Sequence, residues 1–232
     1  MERLPTLFSA RTPSRLSVAA STASSVEAIS FFQEEFGVRR AILPRMLTLR
    51  EIESINRLTH CELEVFVFGN IGMMSEGRCS LSNYATGVST NMDGVCSPPD
   101  MVRFDRDANL DTTVSLASFP LDCYAANEIT GYPTICKGRY RCRIREQPYY
   151  AFEEPLSLNL SMLIPDLMRA GVTAFKIEGR QRGRAYVRTV VSAFRAVVDD
   201  IAAGREPKLA RLSSLTEGNR ESEGALRSKA WR

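Results

Sequence analysis

Short apolar runs and amphipathic stretches follow one another along this chain in the order strand, helix, strand, helix. Leu16 to Ala20 is a short apolar run, and Ser24 or Ser25 then stands where a cap is needed for a helix reaching Phe36. Gly37 closes that helix, and Arg40 to Leu43, stopped by Pro44, predicts the next strand. Thr48-Leu49-Arg50-Glu51 has the form of a capping box and opens a helix to about Leu58. Glu62 to Phe68 alternates as a third strand, with Glu62, Glu64, Phe66 and Phe68 on one face. Farther on, Ser161 to Ala170 predicts a helix and Val172 to Ile177 a strand. Arg184 to Ala203 predicts a long amphipathic helix with Val187, Val190, Val191, Phe194, Val198 and Ile201 along one face. Short strands alternating with helices argue for an α/β chain built on a parallel sheet.

The middle of the chain breaks this rhythm. Ser75 to Tyr150 has no regular period and reads as an inserted, cysteine-bearing segment. The expected division is therefore 1–70, 71–150 and 151–232, with a polar tail from Gly204. With 44% hydrophobic and 25% charged residues among 232, one ordinary core is expected. A net charge of +3 does not by itself imply nucleic acid. No apolar run approaches the roughly 20 residues of a spanning helix. Residues 1–24 are rich in Arg and Ser, with Glu2 the only acid, which is a feature of transit peptides. Leu16 to Ser21 also reads as a strand of the fold. Six unevenly spaced cysteines do not make a secreted disulfide framework, so a reducing cytoplasm is expected.

Candidate chemistry centres on three of those cysteines. Cys79 in EGRC, Cys96 in DGVC and Cys136 in ICKGRY lie in loop-like sequence beside Gly, Arg or Lys, where a thiolate can be oriented and stabilised. Cysteines that only pack sit more often in apolar runs. The trio therefore reads as a metal or cluster site, although gaps of sixteen and thirty-nine residues match no ferredoxin or zinc-ribbon spacing. A hydrolase is hard to build, because His60 is the only histidine and adjoins Cys61, and strand neighbours point to opposite faces. No GxSxG or HExxH signature is present. Two polar stripes remain, Glu62 and Glu64 on one strand and Lys176, Glu178 and Arg180 on another. Glu64, Arg78, Lys176, Glu178 and Arg180 are the substrate-binding candidates, with Arg78, Arg180 and Arg182 suited to grip a carboxylate. The competing reading is an internal ion-pair network. Tyr84, Tyr132 and Tyr140 are either pocket-lining or packing residues, and Glu153 and Glu154 read as a loop edge before Pro155.

EVFVFG, EGRCSLSNYATG, GVCSPP, ICKGRY, EEPLSLN and KIEGRQR, in that order, resemble the collagenase-like peptidase family of unknown catalytic type. The resemblance runs from about Leu16 to Ala203, and CELEVFVFG with the Ser-rich EGRC segment points to the UbiU branch, which serves ubiquinone biosynthesis. The resemblance implies a (β/α)8 TIM-type barrel, incomplete here because the match begins partway along the family pattern. Either the reading frame is truncated or a partner completes the barrel. It also implies a [4Fe–4S] cluster on Cys79, Cys96 and Cys136, with Gly72 where the family has a fourth cysteine. Cys61, Cys123 or Cys142 could substitute. The implied activity is dioxygen-independent hydroxylation of a small-molecule ubiquinone precursor, with prephenate as oxygen donor and a UbiV-like partner subunit in a heterodimer. Nucleic acid is not an expected partner on that reading. Three alternatives stand beside it: prephenate-dependent hydroxylation of an RNA base, for which the run Arg180 to Arg188 is suggestive, a collagenase-like peptidase, and a non-catalytic remnant.

Overall fold

The computed structural model describes residues 16–18, 23–74, 77–142, 144, 147–179, 182–207, 212–216 and 220–227. A two-residue strand, β1 (Ser17–Val18), precedes helix α1 (Val26–Phe36). Ser25 caps that helix by accepting a hydrogen bond from the Ala28 N–H at 3.3 Å. Strand β2 (Arg40–Ile42) leads to α2 (Leu49–Leu58), whose capping box forms as its sequence predicts. The Thr48 hydroxyl accepts from the Glu51 N–H, and the Glu51 carboxylate accepts from the Thr48 N–H at 2.8 Å. Strand β3 (Glu62–Asn70) outruns its alternating stretch by two residues.

Next come α3 (Ser80–Thr86), α4 (Thr90–Asp93), β4 (Val102–Arg106), β5 (Thr112–Leu116), β6 (Phe119–Tyr124), β7 (Arg139–Tyr140) and β8 (Tyr149–Tyr150). The chain then returns through β9 (Ser157–Asn159), α5 (Ile164–Arg169), β10 (Val172–Ile177), α6 (Arg184–Ala202) and β11 (Glu221–Ser222).

The main sheet is mixed. β1, β2, β3 and β10 run parallel in that order. β9 pairs antiparallel with the last three residues of β3, and β11 lies parallel to β9. Among the described residues β1 pairs only with β2 and β10 only with β3, so the sheet is open at both. The two ends of the chain thus meet at β3, which places residues from both at one strand end. Leu63, Val65 and Val67 enter the main core together with Ile29, Ile52, Ile164 and Phe194. No helix among the described residues is long and apolar enough to cross a membrane.

Three expectations change. The middle segment is not aperiodic, because β4, β5 and β6 form an antiparallel sheet. Only β5 carries a legible buried alternation, Thr112, Val114 and Leu116, whereas Arg103 to Arg106 are all exposed and blur the pattern. On α6 the buried residues are Val190, Phe194 and Val197, while Val187 and Val191 face solvent at 36% and 46% exposure. Phe68 leaves the polar stripe of β3. It is fully buried with its ring 5.8 Å from Phe194 of α6, beside a register shift between Lys176 and Ile177.

Candidate functional site

The three thiols are brought together by a small second core. Ala85 of α3, Leu116, Leu121 and Ile135 are buried against one another. This packing ties the helix that starts at Cys79, the β5–β6 hairpin and the 3₁₀ turn Ile135–Lys137 into one unit. Cys79 is the N-cap of α3, where its sulfur accepts from the Ser82 N–H at 3.4 Å. Its own N–H donates to the Thr90 hydroxyl at 3.2 Å. Ser82 donates in turn to the Cys96 carbonyl at 2.6 Å, which locks the second cysteine to the helix of the first. Cys136 enters from the 3₁₀ turn, and its carbonyl accepts from the Glu153 N–H at 3.1 Å.

Electrostatics show that the sulfurs share a neighbourhood. Burial pushes the Cys136 thiol up to about 11; the positive Lys137 opposes this, while charge on Cys96, Cys79 and Glu153 adds to it. Burial also raises Cys96, with Cys79 and Glu178 contributing in the same direction. Tyr140 is raised to about 12 by burial and by Cys136, and Tyr132 is raised by burial and by Cys96. Both tyrosines are therefore at the pocket: Tyr132 donates to the Ser97 carbonyl at 2.8 Å and Tyr140 to the Ile135 carbonyl at 2.5 Å. Tyr84 is 80% exposed and only flanks Phe119, so it takes no part.

Burial thus favours the protonated form of both Cys96 and Cys136. Among the described residues no group of three or more His, Cys, Asp or Glu side chains is set to hold a metal ion. Cys79, Cys96 and Cys136, the residues expected to hold a metal, do not form such a group. They share a neighbourhood without making the thiolate group that a [4Fe–4S] cluster needs. Gly72 offers no fourth ligand, although a Cβ there would meet nothing nearer than the Met74 carbonyl at 4.0 Å. Cys61 lies at the opposite end of β3, buried, with its S–H donating to the Val38 carbonyl at 3.5 Å. Cys123 is on β6 beside Thr113.

Because Cys136 binds its proton more tightly folded than unfolded, its contribution to stability is full below pH 9 and is lost as pH rises through 11. The urea midpoint should fall across that window, and Cys136→Ser should flatten part of the fall. Identical pH profiles for the two proteins would show that this thiol is not desolvated.

The polar stripes meet along β3 and β10 as ion pairs. Glu64 sits between Arg40, at 3.3 Å, and Lys176, at 3.2 Å. Arg40 also holds Glu62 at 2.7 Å, and Arg45 holds Glu178 at 2.6 Å. The Arg45 guanidinium stacks 3.7 Å from the centre of the Phe66 ring. For Glu64, Lys176 and Glu178 the network reading describes what is seen. Arg78 is exposed and has no hydrogen-bond or ion-pair partner among the described residues, and Arg180 lies outside them. Glu178 is the link between stripe and pocket, since it acts on Cys96.

Three pocket residues were not legible in sequence. Lys137, only 6% exposed, donates to the Leu156 carbonyl at 2.9 Å and supplies positive charge next to Cys136. Glu153, expected at a loop edge, has one carboxylate oxygen buried without a hydrogen-bond partner. Arg45 follows Pro44 in a short turn and carries no motif. The ICKG and EEP strings bring Lys137 and Glu153 close to the cysteines, which is the only signal that marks them.

Comparison with known proteins gives the chain its relatives. A model of Peptidase family U32 matches residues 9–227. The chain is 31% identical over 183 residues to tRNA hydroxylation protein P1 of Bacillus subtilis, covering 79% of this chain and 37% of that protein. It is 28% identical over 225 residues to tRNA hydroxylation protein P of Escherichia coli, covering 88% and 48%. Similarity to the 23S rRNA 5-hydroxycytidine C2501 synthase of Escherichia coli is 27% over 183 residues, covering 79% and 23%. The chain thus spans less than half the length of these relatives. No solved structure gives a significant match. These findings overturn the assignment to the ubiquinone branch, with its UbiV-like partner and small-molecule precursor, and the expectation that nucleic acid is not a partner. CELEVFVFG and the Ser-rich EGRC segment, together with ICKGRY, therefore do not mark that branch in this chain.

Proposed function

This chain belongs to peptidase family U32, and on that premise we propose that it works in the hydroxylation of an RNA base rather than in proteolysis. The observation that carries the reading is the similarity to RNA hydroxylation proteins across 79% and 88% of the chain. Proteolysis finds no support in the geometry. His60 is exposed at the start of β3, and the neighbouring Cys61 is buried with its S–H on the Val38 carbonyl. They do not form a nucleophile–base pair.

Hydroxylation inserts one oxygen into a C–H bond of the base, a two-electron oxidation, and on this reading prephenate supplies that oxygen and is itself reduced by the two electrons. The reacting neighbourhood is the pocket of Cys79, Cys96 and Cys136, with Lys137 and Glu153 as its charged lining. On this reading the four parallel strands β1, β2, β3 and β10 belong to an incomplete (β/α)8 TIM-type barrel, and active sites of such barrels lie at the strand C-termini. Glu178, just past β10, is at that end. An RNA substrate puts the reaction in the cytoplasm.

The test is to express the chain in bacteria deleted for their own tRNA hydroxylation protein and to analyse RNA nucleosides by mass spectrometry. A nucleoside heavier by one oxygen should return, and should disappear with the Cys96→Ser/Cys136→Ser variant whose circular dichroism is unchanged. No such nucleoside, together with cleavage of gelatin by the purified chain, would overturn the reading in favour of a peptidase.

A further inference from the structure

The first turns of α6 carry two cations, Arg184 and Arg188, that no ion pair among the described residues accounts for. A cavity of about 420 Å³ opens there, lined by Arg182, Arg184, Val187, Arg188, Val191 and Ser192. Arg184 and Arg188 are exposed, lie one turn apart and have no carboxylate partner among the described residues. Later in the same helix the pattern is the opposite: Arg195 pairs with Asp199, and Asp200 with Arg205. The first turn of α6 contains no acid. Like charges at i and i+4 repel, and cations near a helix start oppose its dipole, so both arginines weaken the helix that carries them. Val187 and Val191, partly exposed in the same cavity, give it an apolar floor. A rim of guanidinium groups over an apolar floor suits a chain of phosphates with sugar and base faces between them.

Position gives this surface its partner. A Cβ built on Gly179 would lie 3.1 Å from the Val187 side chain, so the cavity abuts the residue that follows Glu178. Glu178 in turn acts on the Cys96 thiol. The cavity and the thiol pocket are thus consecutive features at one end of β10. We infer that the Arg182–Arg184–Arg188 cavity is a subsite for the phosphodiester backbone of the RNA, flanking the base that enters the thiol pocket. This rests on the RNA reading of the function and adds to it the surface that holds the strand.

The experiment is binding of an unmodified tRNA transcript to the whole chain at several salt concentrations. Arg184→Ala/Arg188→Ala should bind more weakly, and its slope of log K against log salt should be shallower by about 1.4, from about 0.7 per phosphate contact. Alanine favours helix, so loss of folding is not the expected cause. Arg184→Lys/Arg188→Lys keeps both charges and should retain the wild-type slope. Transcript binding with the same slope in the alanine variant would overturn the subsite and leave the RNA reading standing. A wild-type chain that does not bind the transcript at all would overturn both.

Discussion

Gly69→Ala is expected to destabilise the protein by on the order of 3 kcal/mol, because two independent penalties meet at one atom. Gly69 has φ +136°, a conformation in which side chains are rarely tolerated. An added Cβ would also lie 2.5 Å from the Glu178 Cβ and 3.3 Å from its Cα and carbonyl oxygen. Backbone on one side and a strand end on the other leave no flexible group to yield. The close approach allowed by Gly69 brings the Glu178 N–H onto the Phe68 carbonyl at 2.8 Å. It also sets the Glu178 carboxylate against Arg45. Forcing the strands apart here should loosen that ion pair and withdraw Glu178 from Cys96. Urea unfolding monitored by fluorescence and circular dichroism gives the stability. An unchanged midpoint would mean that the end of β10 can move away at no cost, and that Glu178 is not held where it is described.

Phe68→Ala should cost more, about 3–5 kcal/mol, the usual range for removing a buried aromatic ring. The ring is completely buried and touches both Tyr186 and Phe194 of α6 at centroid separations of 6.3 and 5.8 Å. It is the contact through which β3 holds the helix that carries Arg184 and Arg188. Near-ultraviolet circular dichroism should lose intensity together with the fall in urea midpoint, since the aromatic cluster would no longer be fixed. Phe68→Leu should recover part of the stability by filling most of the volume. A loss below about 1 kcal/mol in the alanine variant would show that α6 is anchored elsewhere, and the link between sheet and arginine face would have to be abandoned.

Local elements were legible because their signals are local. A cap such as Ser25, the Thr48–Glu51 box and the alternating run beginning at Glu62 specify a helix start or a strand through atoms only a few residues apart. The boundaries of β10 and α6 follow from the same periodicity. The sequence also singled out Cys79, Cys96 and Cys136 through their polar, glycine-rich surroundings, and the arginines that begin α6 through their density. What it left open was every distance between residues far apart in the chain. Whether Glu64, Lys176 and Glu178 are paired or open to substrate depends on β3 and β10 lying side by side, which brings partners 112 and 133 residues apart within hydrogen-bonding range. Periodicity assigned Val187 and Val191 to a buried face, but only the packing of α6 on Phe68 determines which side of that wide stripe is covered. Periodicity fixes which residues share a face; what covers the face, and what the gathered thiols and charges do to one another there, depends on tertiary contacts alone.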